Sequence, residues 1–530
     1  MTNSLQRSHD TPNYAPYQLT LPMDIGEMIG TEASVNTVLN LTERLDYNLL
    51  NASYERLPSA SEASPKQMFQ LVILGYMEDT YSTRKLESAS RYDIRFMYEL
   101  QGKPVPDHNR FWSFIKHRLQ GEVIENLFYQ LVNYLLEAGE IDLANLFVDG
   151  TKIEACANRY TFVWKKSTNK YEARLDEKMA DLQTDLTARY LSEIPTGTNL
   201  DACYEILTAQ AKAKNINFVH GRGKRKTQLQ RDIETLESYL ERKQKYEGYN
   251  ETFQGRNSFS KTDPDATFMR MKDDHMMNGQ LKPGYNLQLG VTSEYIVGVD
   301  ISSERSDKQT LIPLLDRMEK GMDGKRFEAV TTDAGYESEE NYKALESRGQ
   351  AAFIKPQNYE KSKKRKYKTN AYLRENMPYN EETDTYTCPA GSLFEPIYTT
   401  TRKSTSGFES TVTVYECKGC SACPQKKQCT RAKGNRKISV SKDFIALREQ
   451  SCERITSERG IILRLNRSIQ AEGVFGVLKE DYGFRRFARR GAINVFTETL
   501  LYAFAFNINK FHNKKKRKLK GVILHIPKSA

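Results

Sequence analysis

The sequence predicts an α/β protein in which a mixed sheet is preceded by a helical region and interrupted by two insertions. Three observations carry that. ANLFVDGTKIEA from Ala144 and FEAVTTDAGY from Phe327 are apolar runs that reach an aspartate, Asp149 and Asp333, with glycine close behind. Buried strands that deliver carboxylates to a sheet edge look this way. YNLQLGVTS and EYIVGVDIS, between the two runs, are β-rich and spaced as a hairpin. Strand-like and helix-like segments then alternate, with DKQTLIPLLDRME from Asp307 and EENYKALESRG as helices and AAFIKP as a further strand.

Residues 1–60 are polar and mixed. From Ser64 the pattern turns helical, since Met68, Leu71, Val72 and Met77 return near a period of 3.6. Pro104 and Pro106 then stop one helix, and Asp107 or Asn109 caps the next. After the first strand, Leu175, Met179, Leu182 and Leu186 are spaced 4-3-4, as are Leu229, Ile233, Leu236 and Leu240. Two such short seams predict an antiparallel helical hairpin protruding from the core, with PTGTNL and HGRGKRK as loops. KSKKRKYK opens a second, cysteine-rich insertion, and 441–512 reads as helices before the basic run NKKKRKLK. The expected division is 1–137 helical, 138–154 first core strand, 155–262 helical insertion, 263–360 core, 361–440 basic Cys-rich insertion and 441–530 C-terminal helices with a basic tail.

A chain of 530 residues has length for three or four domains, or for one core with large insertions. Lys and Arg number 79 against 68 acids, a net charge of +11, so a polyanion such as nucleic acid is a natural partner. MTNSLQRSHDTPNY has no apolar stretch, which disfavours a secretory leader. The most apolar run, VFTETLLYAFAFNINKF, is broken by Glu498 and Asn507, which disfavours a membrane span. Eight cysteines are too few for a disulfide scaffold of this length. A cytoplasmic globular protein is the expectation.

Asp149 and Asp333 sit in matching contexts, and Glu472 in QAEGVFGVLKEDYGFRRFARRG is a third candidate acid. Carboxylates converging from separate elements are what two-metal phosphodiester chemistry needs, because Mg²⁺ prefers hard oxygen ligands. Lys479 lies seven residues on, and Arg464, Arg467, Arg485, Arg486, Arg489 and Arg490 surround the motif, a basic setting suited to a phosphate backbone. The residues alone leave Asp263, Asp265, Asp273, Asp274 and Asp300 as competitors. No Walker loop and no Ser/His/Asp order is present, so ATP use is not expected.

VDGTKIEA, TDAGYESEENY and the E-x6-K of AEGVFGVLK resemble the three motif regions of the DDE transposases of bacterial insertion sequences. DPDATFM and GYNLQLGV resemble intervening segments of that family. YSTRKLESASRYDIRFMYELQGKPVPDHNRFWSFIKHRL, which holds His108, is similar to its InsH-like helical N-terminal domain. The resemblance runs in order from about residue 15 to 512 and is greatest to the eleven-eighty-two type. It implies a ribonuclease-H-like fold, a metal-binding triad of Asp149, Asp333 and Glu472, and two Mg²⁺ or Mn²⁺ ions, with Asp149 bridging both. Strand cleavage at the transposon end and transfer of the freed 3′ hydroxyl to target DNA would follow, with Lys479 at a phosphate or terminal base. Partners implied are the terminal inverted repeats, target DNA and a second copy of the chain on paired ends. A Tyr and an Arg usually precede the Glu at fixed spacing; Leu465 and Ser468 stand there instead, and Arg467 is the nearest substitute. Two other readings stay open: a nuclease of the same fold that does not join strands, and a non-catalytic DNA-binding relative.

Between Tyr386 and Arg431 lie Cys388, Cys417, Cys420, Cys423 and Cys429. Thiolates two residues apart can bind Zn²⁺ tetrahedrally, so a structural zinc is expected from this cluster. Five candidates compete for four places. The family segment resembling YTCPAG…C-x2-CP-x4/5-C selects Cys388, Cys420, Cys423 and Cys429, with Cys417 spare. Cys156, Cys203 and Cys452 are expected to be ordinary buried thiols. HGRGKRK, KSKKRKYK, FRRFARRG and NKKKRKLK are candidate DNA tracks, with Arg84, Arg91, Arg95, Arg110 and Lys116 available on the helical N-terminal region. His275 lies near DPDA and could approach the acids.

Overall fold

The computed structural model describes residues 25–195, 197–221, 225–271 and 279–523. Asp273, Asp274, His275, part of HGRGKRK and both chain ends lie outside the described residues. Helix α1 (Pro65–Met77) begins at a capping box in which Ser64 and Gln67 satisfy each other's backbone N–H groups. Helix α2 (Glu122–Glu137) follows, burying Ile124, Leu127, Phe128, Leu131, Val132 and Leu135. Short helices at Ile25–Ile29, Ser34–Thr42 and Asn48–Ala52 occupy part of the stretch whose polar composition carried no helical pattern.

Strand β1 (Asn145–Glu154) is the centre of a six-stranded sheet and is buried along most of its length. Strands β2 (Phe162–Trp164) and β3 (Ser258–Ser260) pair with each other and close the neck of the first insertion. That insertion holds three helices, α3 (Lys165–Arg189), α4 (Leu200–Ala213) and α5 (Gln228–Phe253), rather than the expected two-helix hairpin. Helices α3 and α5 meet along their seams from Met179 onward, and Leu200, Cys203, Leu207 and Ala211 of α4, which packs on α5, join the same cluster. Cysteine and alanine weaken that third stripe as a sequence signal, although together with two leucines they bury well.

Strand β4 (Thr267–Arg270) and strand β6 (Tyr295–Ser302) pair end to end along one edge of β5 (Leu281–Thr292), whose other edge pairs antiparallel with β1. The β5–β6 turn, Ser293–Glu294, takes left-handed backbone at both positions (φ 49° and 64°), as a tight hairpin turn requires. Neither residue is the Asn or Gly that such a turn favours. Tertiary contacts hold it instead: Glu294 N–H donates to Gln470 (3.1 Å), and its carboxylate pairs with Lys510.

Helix α6 (Leu311–Gly321) crosses to β7 (Ala329–Thr332), parallel to β1, and α7 (Glu339–Ser347) crosses to β8 (Ala351–Ile354), parallel to β7. The order β4/β6-β5-β1-β7-β8 is a mixed α/β sheet, antiparallel on one side of β1 and parallel on the other. The cysteine-rich stretch, read from sequence without strands, contains a second sheet. Strands β9 (Tyr379–Asn380), β10 (Thr385–Thr387), β11 (Leu393–Lys403), β12 (Glu409–Cys417) and β13 (Lys437–Val440) form it in spatial order.

Helices α8 (Lys442–Thr456), α9 (Glu458–Arg467), α10 (Gly473–Glu480) and α11 (Ala492–Lys516) complete the chain. Helix α11 is buried on nearly every side, as its continuous apolar run demands. Its Phe504 meets Phe69 of α1 (5.2 Å) and Phe128 of α2 (5.7 Å), so the N-terminal helices and the sheet share one core. The two polar residues interrupting that run have structural work. Asn507 exchanges two hydrogen bonds with the Ile296 backbone (2.7 and 2.9 Å), and Glu498 accepts from the N–H groups of Ala488 (3.0 Å) and Arg489 (3.0 Å). Among the described residues, no helix is long and apolar enough to cross a membrane.

Candidate active site

Strand register brings the two aspartates together. Phe147 on β1 pairs in parallel with Thr331 on β7, the last pair of that ladder, and Asp149 and Asp333 each follow two residues further along the two neighbouring segments. Asp149 is buried, and its Oδ1 accepts from the Gly150 N–H (2.9 Å). Asp333 ends β7 and caps a short 3₁₀ turn, Ala334–Tyr336, by accepting from the Gly335 N–H (2.7 Å). Both glycines leave room for side chains of the site. A Cβ on Gly150 would stand 2.5 Å from the Gln288 amide nitrogen, and one on Gly335 would stand 2.9 Å from Asp333 Oδ1 and 3.0 Å from Asp307 Oδ2.

Glu472 arrives from the helical side. Ser457 caps α9 by accepting from the Gly460 N–H (3.1 Å), and the helix runs into a π turn, Ser468–Glu472, before α10. A π turn closes i→i+5 rather than i→i+4, so it adds one residue to the turn. Arg467, five residues before Glu472, is thereby turned onto the face that the fourth preceding residue holds in an α-helix. Its guanidinium lies 3.0 Å from Glu472 Oε1 and 3.4 Å from Asp149 Oδ2 and so joins the two acids. Ser468 Oγ donates to the other Glu472 oxygen (3.0 Å), while Leu465 is exposed.

A fourth acid belongs to this cluster and was not singled out by the sequence. Asp307, in a 3₁₀ turn directly after the β5–β6 hairpin, accepts from Asn286 (2.7 Å) and Gln288 (3.3 Å) and reaches over Gly150 and Gly335. Tyr336 lies fully buried among these groups. Burial, and then the charges of Asp307, Asp149 and Asp333, push its phenol well above the usual tyrosine range, against the opposing effect of Arg467. It keeps its proton and donates to Gln288. The only sequence signal for Asp307 was its place at the start of a helix, where a cap is the ordinary reading.

As the side chains stand, no group of three or more His, Cys, Asp or Glu among the described residues is arranged to hold a metal ion. Between Asp149 and Glu472 the Arg467 guanidinium takes that place. Asp333, Lys355, Arg464, Leu465 and Arg467 line a groove alongside. The competing acids serve elsewhere. Asp263 accepts from Tyr285 (2.9 Å) and Gly491 (3.2 Å), Asp265 caps Ala492 (2.8 Å), and Asp300 pairs with Arg317 (3.2 Å).

The basic residues divide. Lys479 is half-buried on α10, and Arg485 pairs with Glu480 (2.5 Å). Arg486 donates to the carbonyls of Ala155 (3.3 Å) and Ala157 (3.2 Å), and Arg490 to that of Cys156 (2.7 Å), so both also brace the chain leaving β1. Arg84 is exposed, whereas Arg91, Arg95 and Arg110 pair with Glu87, Asp93 and Glu62. Cys203 is buried, but Cys156, two residues past the end of β1, and Cys452, beside the buried Ser451 of α8, are only half-buried. All five clustered cysteines line one small cavity.

Residues 387–512 match the family model described as Transposase DDE domain, and residues 31–117 match Transposase domain (DUF772). The first match includes strands β11, β12 and β13 of the second sheet, Glu472, Lys479 and most of α11. The second includes α1 and His108. Asp149 and Asp333 lie between the matched stretches. No curated protein and no solved structure matches the chain.

Proposed function

Because the chain belongs to the DDE transposases of insertion sequences, we propose that it binds the ends of its element, cuts there and joins the freed end to target DNA. The observation that carries this is the β1–β7 register, which sets Asp149 and Asp333 side by side, with Glu472 drawn toward Asp149 through Arg467. A DDE domain implies a ribonuclease-H-like core, and the order of the central sheet supports that reading.

Asp149, Asp333 and Glu472 offer hard oxygen donors that suit Mg²⁺ or Mn²⁺. Asp149 would serve two ions, and Asp333 and Glu472 one each. Bound there, the ions supply Lewis acidity for the attacking oxygen and the leaving oxygen of a phosphodiester. The protein's own contribution is placement. Arg467 holds Glu472 and Asp149 at a common spacing and is free to turn to a phosphate once another cation takes over the acids. Asn286 and Gln288 hold Asp307 as a fourth acid behind Asp149 and Asp333, and the protonated Tyr336 braces Gln288. Lys355, Arg464 and Lys479 are positioned for backbone phosphates. The N-terminal helices, with Arg84 exposed, are the reader of the inverted repeats, and two copies of the chain pair the ends.

The test uses labelled DNA carrying the element's own ends with Mg²⁺ or Mn²⁺. Wild type is expected to nick at the repeat boundary and to give strand-transfer products from a 3′ hydroxyl. Asp149→Ala and Glu472→Gln should bind with nearly unchanged affinity and cut at least a thousandfold more slowly, on the order of 4 kcal/mol of lost transition-state stabilisation. Normal cutting by either variant refutes its assignment. Cutting without joining makes the protein a nuclease.

A further inference from the structure

Glu472 is engaged at both of its oxygens. Arg467 donates to Oε1 (3.0 Å) and Ser468 Oγ to Oε2 (3.0 Å), and the same guanidinium lies 3.4 Å from Asp149 Oδ2. The Arg467 side chain is 16 % exposed and that of Asp149 7 %, so on the Asp149 side the pair is largely shielded from water. An Mg²⁺ ion bonded to both acids would stand about 2.1 Å from each oxygen, in the space that the guanidinium fills. Guanidinium and ion therefore compete for the same two carboxylates.

The groove beside the acids offers Arg467 a second position. Lys355 and Arg464 line it together with Arg467. Arg464 Nε is buried and has no hydrogen-bond partner among the described residues, while its guanidinium lies over the Tyr359 ring (5.4 Å). Lys355 pairs with Glu360 (2.8 Å). A buried donor without an acceptor, beside two further cations, suits an anion with several oxygens, and a backbone phosphate is the one that DNA supplies. Arg467 already lines the groove as well as touching the acids, so rotation of its side chain exchanges one for the other.

We infer that Arg467 couples DNA binding to metal binding: it occupies the acids while the protein is free, and a DNA phosphate in the groove draws it off, so that DNA tightens the uptake of the ions. The inference rests on the reading of Asp149 and Glu472 as metal ligands. The π turn makes it possible, because it sets Arg467 as well as Ser468 on the Glu472 face. By linkage the coupling is reciprocal, and the ions tighten DNA by the same factor. Ions held weakly until a phosphate is in place leave the acids neutralised by the protein's own cation when no DNA is bound.

Free Mn²⁺ is counted by its electron spin resonance while the full-length chain is titrated, first without DNA. Arg467→Gln should bind the ion about tenfold more tightly than wild type, and Arg467→Lys, which keeps the charge, should fall back toward wild type. Arg464→Gln, which removes a charge from the groove but not from the acids, should change the affinity far less. A duplex carrying the element's end, with the uptake of the duplex alone subtracted, should tighten wild type by about tenfold and Arg467→Gln far less. Asp149→Ala in the Arg467→Gln background should lose the tight binding, which ties it to the acids. Equal affinity of wild type and Arg467→Gln without DNA overturns the coupling, and so does a wild-type affinity that DNA leaves unchanged, a measurement that needs no variant to fold. If Asp149→Ala still loses the ion in either case, the acids keep their assignment and the coupling alone fails. If no form takes up Mn²⁺ with or without DNA, both fall.

Discussion

Glu99→Gln should remove a pH dependence that a buried carboxyl imposes on the N-terminal helices. Glu99 is 3 % exposed on the helix Ile94–Leu100, and its Oε2 has no hydrogen-bond partner among the described residues. Burial raises its carboxyl from 4.5 to about 8, with Lys66 opposing and Glu43 adding to the shift. The folded state therefore keeps a proton that the unfolded chain gives up. Stability from this group is fully present below pH 4.5 and is lost as pH rises through about 8. Over that interval one proton is released per unfolding, about 1.4 kcal/mol per pH unit, which comes to about 3 kcal/mol at pH 7. The chain has two tryptophans, so Trp164→Phe leaves Trp112, in the helix His108–Ser113, as reporter for this region. Urea unfolding in that background should show wild type weakening from pH 5 to 8 and Glu99→Gln holding nearly level. Parallel pH profiles for the two proteins would refute the reasoning.

Two further outcomes follow from packing. Gly150→Ala places a Cβ 2.5 Å from the Gln288 amide, which also serves Asn286 (3.0 Å) and Asp307 (3.3 Å). It should cost about 1–3 kcal/mol in thermal unfolding and slow DNA cutting at least tenfold through the displaced Asp307; an unchanged cutting rate would count against a role for this network. Lys514→Met strands the fully buried Glu140, which also accepts from Tyr295 (3.0 Å), and should destabilise by about 3–5 kcal/mol. Adding Glu140→Gln should restore much of that loss, and a single variant costing under about 1 kcal/mol would refute the burial argument.

Much of the fold was legible because its signals are local. Apolar runs closed by Asp and Gly marked β1 and β7, β-rich runs marked the β5–β6 hairpin, and a 3.6-residue period with a Ser64 cap marked α1. Helix α4 and the second sheet were missed, because an Ala/Cys stripe and exposed Thr-rich strands carry little hydrophobic pattern. For the candidate site, residue types could be read directly from the chain: two aspartates after apolar runs, a glutamate in a basic helical stretch and a dense group of cysteines. Which of them meet is a matter of long-range packing. Parallel pairing across more than 180 residues set Asp149 beside Asp333, and a single extra residue in a π turn brought Arg467 to Glu472. Asp307 joined them because the turn after β6 comes up against Gly150 and Gly335. Register and helical phase are set by packing between distant segments, and no local pattern in the chain encodes that pairing.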